Sequence, residues 1–568
     1  MKRIIPIVLI ILLGLICYFN MLRAEFVWDD FMLIVSNNSI KSFNNIGSIF
    51  ISELLSKSDY YRPLQALSYM IDFHFYGLNP LGFHLTNIIL FIFNAILVYF
   101  LFKELTQNIF IALAGSILFV TAPFYTESVC YVSGRGDILL GIFILAALLA
   151  YIKERYYLCV FLFIISLLCK ELAMIFPFAI IAYDFVFKKL SLKKVKFYVL
   201  LFFLEFLYML FRLYIVHFER GFLLARKLYF YNEINLYQRL LTFLKSLVVY
   251  LKIIIFPVNL HMERVINTVN CILDWHVLVA LFSIILSIYL LKKLKNYKQV
   301  ILFGLFWFLL MLLPQSSFTL PLILAEHFLY LPAIGLFLIL AIFLNYLRQN
   351  RRIFTVTVFS AWVIYYAFLT IAYNYNWRNM FTFCQWTLKY SPSSYRLHYF
   401  LGIKYAESGL VDLSIEEFRK GMSLDKNFQI NNLYLNGLDK LYKDRGEIKL
   451  LAKYRHNLAS MLSQKGSFDD ALIQYRLAIE ANPDFVESYN DLGCLYLQLG
   501  KINEAIETLN QALKVNPGFK KTYYNLGVAY AESRDDRKAI FFFKKALELD
   551  PNYKLASVAI KKIRQDQK

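Results

Sequence analysis

The feature that most constrains this chain is a series of separate apolar runs in residues 1–390, each about 15–22 residues long. A run of this length forms a helix that can cross the roughly 30 Å hydrocarbon core of a bilayer. The whole chain is 59% hydrophobic, above the roughly 45–50% of soluble proteins, while residues 391–568 have an ordinary polar composition. The sequence therefore predicts an all-α chain, with a polytopic membrane part followed by a polar helical domain.

Eleven membrane spans are predicted from these runs, together with one apolar helix that does not cross. This helix covers 239–257, where Lys245 and Lys252 fall on one helical face, a pattern that favours a helix lying in the membrane interface. The predicted spans are 4–22, 85–102, 108–123, 137–152, 156–169, 172–187, 197–217, 275–291, 299–318, 328–347 and 353–373.

Three quarters of the +20 net charge falls in residues 1–390, mostly in short segments between spans. Basic loops hold a membrane protein with these segments in the cytoplasm, and this explanation is favoured over nucleic-acid binding. With eleven spans, every short basic segment is cytoplasmic, whereas the long 218–274 connection would be external although it carries seven basic residues. The opposite, extracytoplasmic face then receives 23–84, 124–136, 170–171, 319–327 and everything after 373.

A 34-residue period runs through the C-terminal part of the chain. Positions in phase are the prolines, alanines and leucines at Pro483, Pro517 and Pro551, Ala471, Ala505 and Ala539, Ala478, Ala512 and Ala546, and Leu458, Leu492 and Leu526. This pattern resembles the tetratricopeptide repeat (TPR), in which two antiparallel helices cross at small residues and a proline follows the second helix. The pattern predicts three good repeats after a degenerate one near 401–421, with an insertion near 428–449, and a concave surface for a protein or peptide.

The predicted domains are thus a membrane domain at 1–373, a linker at 374–390 and a TPR α-solenoid at 391–568. The seven cysteines form no CxxC motif and no cluster with histidine, so neither a zinc site nor a disulfide framework is predicted. The sequence leaves open whether a divalent metal takes part in any reaction.

Charged residues that the predicted topology gathers on the outer face are the candidate site. Adjacent carboxylates at Asp29 and Asp30 follow the first span, where charge is costly and usually functional. A lone Asp is more often a helix cap, and a neighbouring Lys–Glu pair is often only a surface ion pair. The joint placement on one face favours an acid/base site with cationic groups for a phosphate. The further candidates are Arg62, His84, Glu127, Arg135, Asp137, Lys170, Glu171, Glu326 and His327.

Several short motifs occur in a fixed order along nearly the whole chain. They are Val27-Trp28-Asp29-Asp30, Tyr61-Arg62-Pro63-Leu64, Gly77-Leu78-Asn79-Pro80 with Phe83-His84 and Asn87, Tyr131-Val132-Ser133-Gly134-Arg135 with Asp137, Lys170-Glu171, and Ala325-Glu326-His327-Phe328-Leu329-Tyr330-Leu331-Pro332. Together with the attached TPR domain, this order resembles the transmembrane-and-TPR O-mannosyltransferases and their bacterial relatives in the GT-C superfamily of glycosyltransferases. One position departs from the family pattern, since His327 stands where an Arg is expected.

The resemblance implies a GT-C-like membrane domain that transfers a mannose-like sugar from a polyprenyl-phosphate donor to a protein hydroxyl on the extracytoplasmic side. It also implies that the catalytic acid lies in the first outer loop, as Asp29 or Asp30. A carboxylate there would take the acceptor proton, while Arg62, Arg135 or Lys170 would steady the leaving phosphate. The expected partners are the lipid-linked sugar, the bilayer and an acceptor protein held by the TPR domain, with no nucleic acid.

Two other functions stay open. One is a lipid-sugar flippase or transporter, which would place polar residues in mid-membrane, and Glu205 and Arg212 lie seven residues apart in one span. The other is a non-enzymatic, membrane-anchored TPR interaction protein, which would need neither eleven spans nor the Asp pair. A bacterial inner membrane is favoured over the endoplasmic reticulum as the location.

Overall fold

A computed structural model describes residues 4–52, 54, 61–214, 235–262, 264–265, 267–315, 323–424, 448–464 and 466–566. The chain divides into two compact units, Met1–Ser393 and Ser394–Lys568. Helices dominate both units, which confirms the all-α fold class. Apart from helices, the described residues form one antiparallel pair of two-residue strands, β1 (Arg264–Val265) and β2 (Ile323–Leu324).

The first unit contains sixteen α-helices among its described residues. They are α1 Ile5–Tyr18, α2 Ile46–Ile51, α3 Pro63–Tyr76, α4 Pro80–Thr106, α5 Ile109–Thr121, α6 Thr126–Cys130, α7 Arg135–Ile152, α8 Tyr156–Leu167, α9 Phe176–Val186, α10 Leu192–Tyr214, α11 Leu236–Ile255, α12 Trp275–Lys293, α13 Lys298–Leu312, α14 Pro332–Asn350, α15 Arg352–Asn374 and α16 Met380–Tyr390.

Each predicted span corresponds to one of these helices. Five described segments are long and apolar enough to cross a membrane, and the count becomes six if α5 and the following Pro123–Cys130 segment, bent by 52°, form one broken or re-entrant span. The five are Ile5–Arg23, Pro80–Thr106, Val132–Ile152, Pro332–Asn350 and Arg352–Trp377. The chain therefore has the helices of a polytopic membrane protein, while the total of eleven spans and the interfacial position of α11 stay predictions.

Local sequence explains where several helices of the first unit begin and end. Proline occupies the first turn of α3, α4 and α14, where its missing N–H has no intrahelical partner to lose. The Asn79 side chain accepts a hydrogen bond from the backbone N–H of Leu81 and so caps α4. Gly77, with φ +60°, ends α3 in a conformation that side chains rarely adopt. The sharp turn between α3 and α4 brings α3 back against α4.

Two apolar helices of the first unit approach each other at glycines. A Cβ atom added to Gly335 of α14 would lie 2.2 Å from the carbonyl oxygen of Gly304 in α13. Without a hydrophobic driving force in lipid, such close backbone contact is how membrane helices gain van der Waals packing. This contact fixes α14, whose preceding turn carries Glu326 and His327.

The second unit consists of helix pairs in a regular register. Its helices are α17 Tyr395–Glu407, α18 Val411–Leu424, α19 Ile448–Gln464, α20 Phe468–Ala481, α21 Val486–Gln498, α22 Ile502–Val515, α23 Lys520–Glu532, α24 Asp536–Leu549 and α25 Lys554–Asp566. Ala471, Ala505 and Ala539 are fully buried where paired helices pack together. The degenerate repeat forms the pair α17 and α18, and most of the predicted insertion near 428–449 lies outside the described residues.

The segment predicted as a linker, 374–390, is folded. A 3₁₀ turn at Tyr375–Trp377 leads into α16, whose start is capped by the Asn379 side chain accepting from the Thr382 N–H. Met380, Phe383 and Cys384 are buried in the first unit. This segment is therefore an integral part of the helical core and bears on the site described next.

Candidate functional site

The two adjacent carboxylates lie in a tight turn after α1. Trp28 has a φ of +53°, a left-handed conformation that costs a bulky residue about 1–3 kcal/mol. The turn points the neighbouring acids in different directions. Asp30 is fully buried, whereas Asp29 is partly exposed, so the two have different environments in spite of their adjacency.

Asp30 ties the segment after α1 to the turn before α7. Its Oδ1 accepts from the backbone N–H of Ser133 at 2.8 Å and from the Ser133 hydroxyl at 2.5 Å, and its Oδ2 accepts from the Val27 N–H at 3.0 Å. Burial raises the pKa of Asp30 to about 7, although the hydrogen bonds from Ser133 and Val27 favour the charged form. Asp30 is thus the fixed member of the pair, and its charge changes near neutral pH.

Asp29 faces a cavity of about 510 Å³. Its backbone N–H donates to the phenolic oxygen of Tyr131 at 3.3 Å, which holds the Asp29 end of the turn against the cavity wall. Seven of the predicted site residues line this cavity, although they come from chain segments far apart. They are Asp29, Arg62, Glu127, Asp137, Lys170, Glu171 and His327.

Apolar side chains complete the wall of the cavity. Leu33 and Leu54 come from the segment between α1 and α3, and Leu172, Met262, Pro314 and Phe328 from later segments. A cavity of several hundred Å³ whose wall combines apolar side chains with convergent polar groups is typical of a small-molecule site. The cavity can therefore hold a ligand with both an apolar and a charged part.

The polar side chains on the cavity wall form two ion pairs and one histidine–carboxylate contact. Lys170 Nζ lies 2.6 Å from Asp137 Oδ1, and an Arg62 nitrogen lies 3.2 Å from Glu171 Oε2. His327 Nδ1 lies 2.7 Å from Glu127 Oε1. These contacts join α7 and the segment before α3 to the turn before α9, and α6 to the turn before α14, so the same side chains hold the cavity together and give it its charge.

Glu171 is held between two arginines. Arg212 of α10 lies 3.6 Å from Glu171 Oε1, on the side opposite Arg62. Burial alone would raise the pKa of Glu171, but Arg62 and Arg212 outweigh it and keep the pKa below its usual value. Arg212 therefore interacts with a charged residue of the cavity wall. Glu205, in the same helix, has a buried oxygen, Oε1, that has no hydrogen-bond partner among the described residues.

Arg135, predicted to meet a phosphate, is fully buried and does not line the cavity. Its guanidinium lies 2.6 Å from Asp72 Oδ2, donates to Asn87 Oδ1 at 2.6 Å and donates to the carbonyl of Phe83 at 2.9 Å. Asp72 is in α3, and Asn87 and Phe83 are in α4. Arg135 therefore links three helices around the Ser133 turn, which in turn holds Asp30.

His84 and Glu326 also lie off the main cavity. His84 is buried in α4 and is not among the residues that line the cavity. Glu326 Oε1 pairs with Arg264 at 3.1 Å and accepts from the His261 N–H at 3.1 Å. Burial, and then the nearby carboxylate of Glu127, raises the pKa of Glu326.

Four residues of this network escaped the sequence prediction: Asp72, Arg212 as a partner of Glu171, Arg264 and Tyr131 as a contact of Asp29. Asp72 could have been found by asking which acid compensates a buried Arg135. Arg264 lies in the long 218–274 connection, where nothing in the local sequence distinguishes it from the other basic residues. Within the described part of the chain, no group of three or more His, Cys, Asp or Glu side chains is arranged to hold a metal ion.

Family models match the C-terminal repeats. A model described as "TPR repeat" matches residues 493–533, and models described as "Tetratricopeptide repeat" match 452–485, 475–507 and 521–553. The predicted TPR region is thereby confirmed. Among solved structures, the crystal structure of MamA protein aligns with 30% of this chain and 79% of its own, at 25% identity and a TM-score of 0.20.

Curated relatives match over the membrane part as well. The chain is 26% identical to "Protein O-mannosyl-transferase F38B6.6" of Caenorhabditis elegans, over 74% of this chain and 63% of the worm protein. It is 35% identical to "Protein O-mannosyl-transferase tmtc2" of Xenopus laevis over 25% of this chain and 18% of that protein, and 31% identical to human "Protein O-mannosyl-transferase TMTC3" over 27% and 19%. The chain thus spans less than two thirds of the length of these relatives, and the resemblance predicted from its motifs is confirmed.

Proposed function

We propose that this chain, which is similar to the protein O-mannosyl-transferases, is an integral-membrane glycosyltransferase. It moves a mannose-like sugar from a polyprenyl-phosphate donor to a protein hydroxyl on the extracytoplasmic side. The observation that carries the proposal is the cavity, at which acids and cations from five separate chain segments meet beside Asp29. A site with a carboxylate base, cations for a phosphate and an apolar wall fits this substrate pair.

Asp29 is the general base in this proposal. It lines the cavity and is partly exposed, whereas Asp30 is buried and accepts three hydrogen bonds. Asp29 takes the proton of the acceptor hydroxyl as the hydroxyl oxygen bonds to the anomeric carbon. The bond from that carbon to the phosphate oxygen breaks, and the lipid phosphate leaves with the electron pair. Asp30 holds the turn that presents Asp29.

Arg62 and Lys170 are the phosphate-binding residues in this proposal. Both line the cavity, with side chains 17% and 10% exposed, and both lie on the outer face of the predicted topology. Their charge stabilises the anion that develops on the leaving group, and this effect is large where water is excluded. His327 is a third polar group on the cavity wall. Arg135 does not line the cavity, and its role in this proposal is to hold the helices around the Ser133 turn.

The apolar part of the cavity wall would accept the first isoprene units of the donor. Leu54, Leu172 and Phe328 supply a surface on which such a chain can pack. The TPR unit would hold the acceptor protein on the same side of the membrane, because one more span follows the basic residues at 348–352. A bacterial inner membrane is the proposed location.

The test is sugar transfer by the purified full chain. We expect Asp29→Asn to lower transfer of radiolabelled mannose from a polyprenyl-phosphate carrier to protein by roughly 10²–10⁴-fold, because Asn keeps the shape but not the basicity. The matched control is Asp274→Asn, at an outer-loop acid that pairs with His276 away from the cavity. Its rate should equal that of the wild-type protein.

Two outcomes would contradict the proposal. Equal transfer by the Asp29→Asn and wild-type proteins would remove the catalytic assignment. Movement of the lipid-linked sugar across liposome membranes without any label on protein would favour the flippase, for which the buried Glu205 in α10 is the residue to test next. Binding of acceptor protein with neither activity would favour the non-enzymatic TPR protein.

A further inference from the structure

Helix α16, which directly precedes the TPR unit, packs against the turn that carries Asp29. The backbone N–H of Glu25 donates to the carbonyl of Arg378 at 2.8 Å, just before α16 begins. The backbone N–H of Trp28 donates to the sulfur of Met380 at 3.4 Å. The ring of Phe383, one turn further along α16, lies 5.6 Å from the Trp28 ring. The strained residue of the turn is thus held through its backbone and its side chain.

A second set of contacts reaches Asp29 from the other side. Trp377, in the 3₁₀ turn before α16, stacks on Tyr131 with ring centroids 5.6 Å apart and an interplanar angle of 29°. Tyr131 accepts the hydrogen bond from the Asp29 N–H. Trp377 also packs on Phe383 at 4.9 Å. The aromatic rings of Trp28, Tyr131, Trp377 and Phe383 therefore form one connected group around the Asp29 turn.

The same helix holds the opposite side of the site. Trp386 donates through Nε1 to the carbonyl of Leu260 at 2.7 Å, and Tyr390 donates to Asn259 Oδ1 at 3.0 Å. The His261 ring stacks on Tyr390 at 4.9 Å. This loop continues into Met262, on the cavity wall. Helix α16 thus contacts both the base-carrying turn and a loop that reaches the cavity.

We infer that Met380 and Phe383 are positioning residues for Asp29. A tryptophan does not keep a φ of +53° without contacts that hold it, because its β-carbon crowds the backbone there. Met380 holds the Trp28 N–H, and Phe383 holds the ring, both from a helix that is buried at these positions. Release of either contact lets the turn relax and moves the Asp29 carboxylate away from the acceptor. This inference rests on the proposed role of Asp29 as the base.

Met380→Leu is the sharpest test, because Leu keeps the bulk of Met and removes the sulfur acceptor. We expect kcat for transfer to fall by on the order of tenfold to a hundredfold, since a small displacement of a reacting group has effects of this size. The KM for the donor should stay within twofold. Met311→Leu, at a fully buried Met in α13, is the matched control and should leave both constants unchanged.

Phe383 provides a series of graded changes. Phe383→Ala should lower kcat more than Met380→Leu, and Phe383→Leu, which restores bulk, should recover most of the loss. Hydrogen exchange of the peptide that contains residues 25–31 supplies a readout that does not depend on activity. It should speed up in Met380→Leu and in Phe383→Ala, and should match the wild-type protein in Met311→Leu.

The outcomes separate the two proposals. Unchanged exchange in residues 25–31 of both variants overturns the positioning role, whatever the activity. Faster exchange with unchanged kcat also overturns it, because the turn has then moved without effect on transfer. A wild-type protein that transfers no sugar overturns the proposed function instead, and the exchange measurement then still decides whether α16 holds the turn.

Discussion

The cavity of the first unit and the repeats of the second unit differ in how far apart in the sequence their contacting residues lie. In the repeats, the same residue types recur every 34 positions, and helices adjacent in sequence pack together. In the cavity, the polar contacts join residues 33, 109 and 200 positions apart, and no contact repeats. Periodicity therefore identifies the three regular repeats and says nothing about the cavity, whose members are recognised only by their chemistry.

The largest expected effect concerns contacts of the first unit between residues that are distant in the sequence. Arg135→Met should destabilise the first unit by about 3–5 kcal/mol, because it leaves the Asp72 carboxylate buried without its cation. The measurement is thermal unfolding of the purified chain in detergent. If the contrast between the units is real, the TPR helices should keep their hydrogen-exchange protection while α3, α4 and α7 lose theirs.

The double variant Arg135→Met/Asp72→Leu is the control for this prediction. Removal of both charges should restore most of the lost stability, since an apolar pair of similar volume often replaces a buried ion pair without loss. Loss of protection in the TPR helices of Arg135→Met would show that the two units unfold together and would break the comparison.

A smaller effect is expected from Gly527→Ala in the repeats. The added Cβ would lie 2.5 Å from a ring carbon of Phe543, which is buried and cannot swing away. Overpacking of this kind costs about 1–3 kcal/mol. Because repeat contacts are local, faster hydrogen exchange should be confined to α23, α24 and their neighbours. Gly47→Ala, at a position with open space around the added atom, should change nothing, and exchange that spreads into the first unit would contradict local packing.

The smallest expected effect is a dependence of the transfer rate on pH. It should arise in the cavity region and not in the repeats. The ionised carboxylate of Asp30 accepts three hydrogen bonds, and its pKa is about 7. Transfer should therefore fall as the pH drops through 7, by roughly tenfold for one full unit below the pKa. Asp30→Asn should give a lower rate that does not change across this range.

The free energy of unfolding should change with pH in the opposite direction to the transfer rate. Because burial raises the pKa of Asp30 above its unfolded value of about 3.9, the folded chain binds more protons than the unfolded chain between about pH 4 and 7. The contribution of Asp30 to stability therefore grows as the pH falls through this window. A parallel loss of activity and melting temperature would mean that acid unfolds the turn, and would remove Asp30 as the cause.

Sequence reasoning succeeds here where a physical rule acts on residues close in the chain. Apolar runs indicate the membrane helices, and the 34-residue period indicates the repeats. The cost of charge beside a membrane singles out Asp29 and Lys170, and both line the cavity. The same rule cannot tell Arg135 from Arg62, because one is compensated by Asp72 from α3 and the other faces the cavity. That distinction depends on which helices pack together.

The linker prediction shows a related limit. Residues 374–390 have neither the length of a span nor the period of a repeat, and so the sequence treats them as a connection. The structure makes them a helix because Met380 and Phe383 find buried contacts on a turn 350 residues earlier in the chain. Contacts of this kind leave no local pattern.

The cavity has a further consequence that follows from its paired charges. Lys170 faces Asp137 and Arg62 faces Glu171 on the cavity wall. Under the proposed function, an incoming phosphate binds by exchange, since each carboxylate gives up its cation to the new anion. Sugar hydroxyls are hydrogen-bond donors, and the displaced carboxylates are acceptors. A phosphate that carries a sugar would satisfy both halves of this exchange, whereas the lipid phosphate without its sugar would satisfy only one, so under the proposed function the ion pairs would distinguish the loaded carrier from the discharged one.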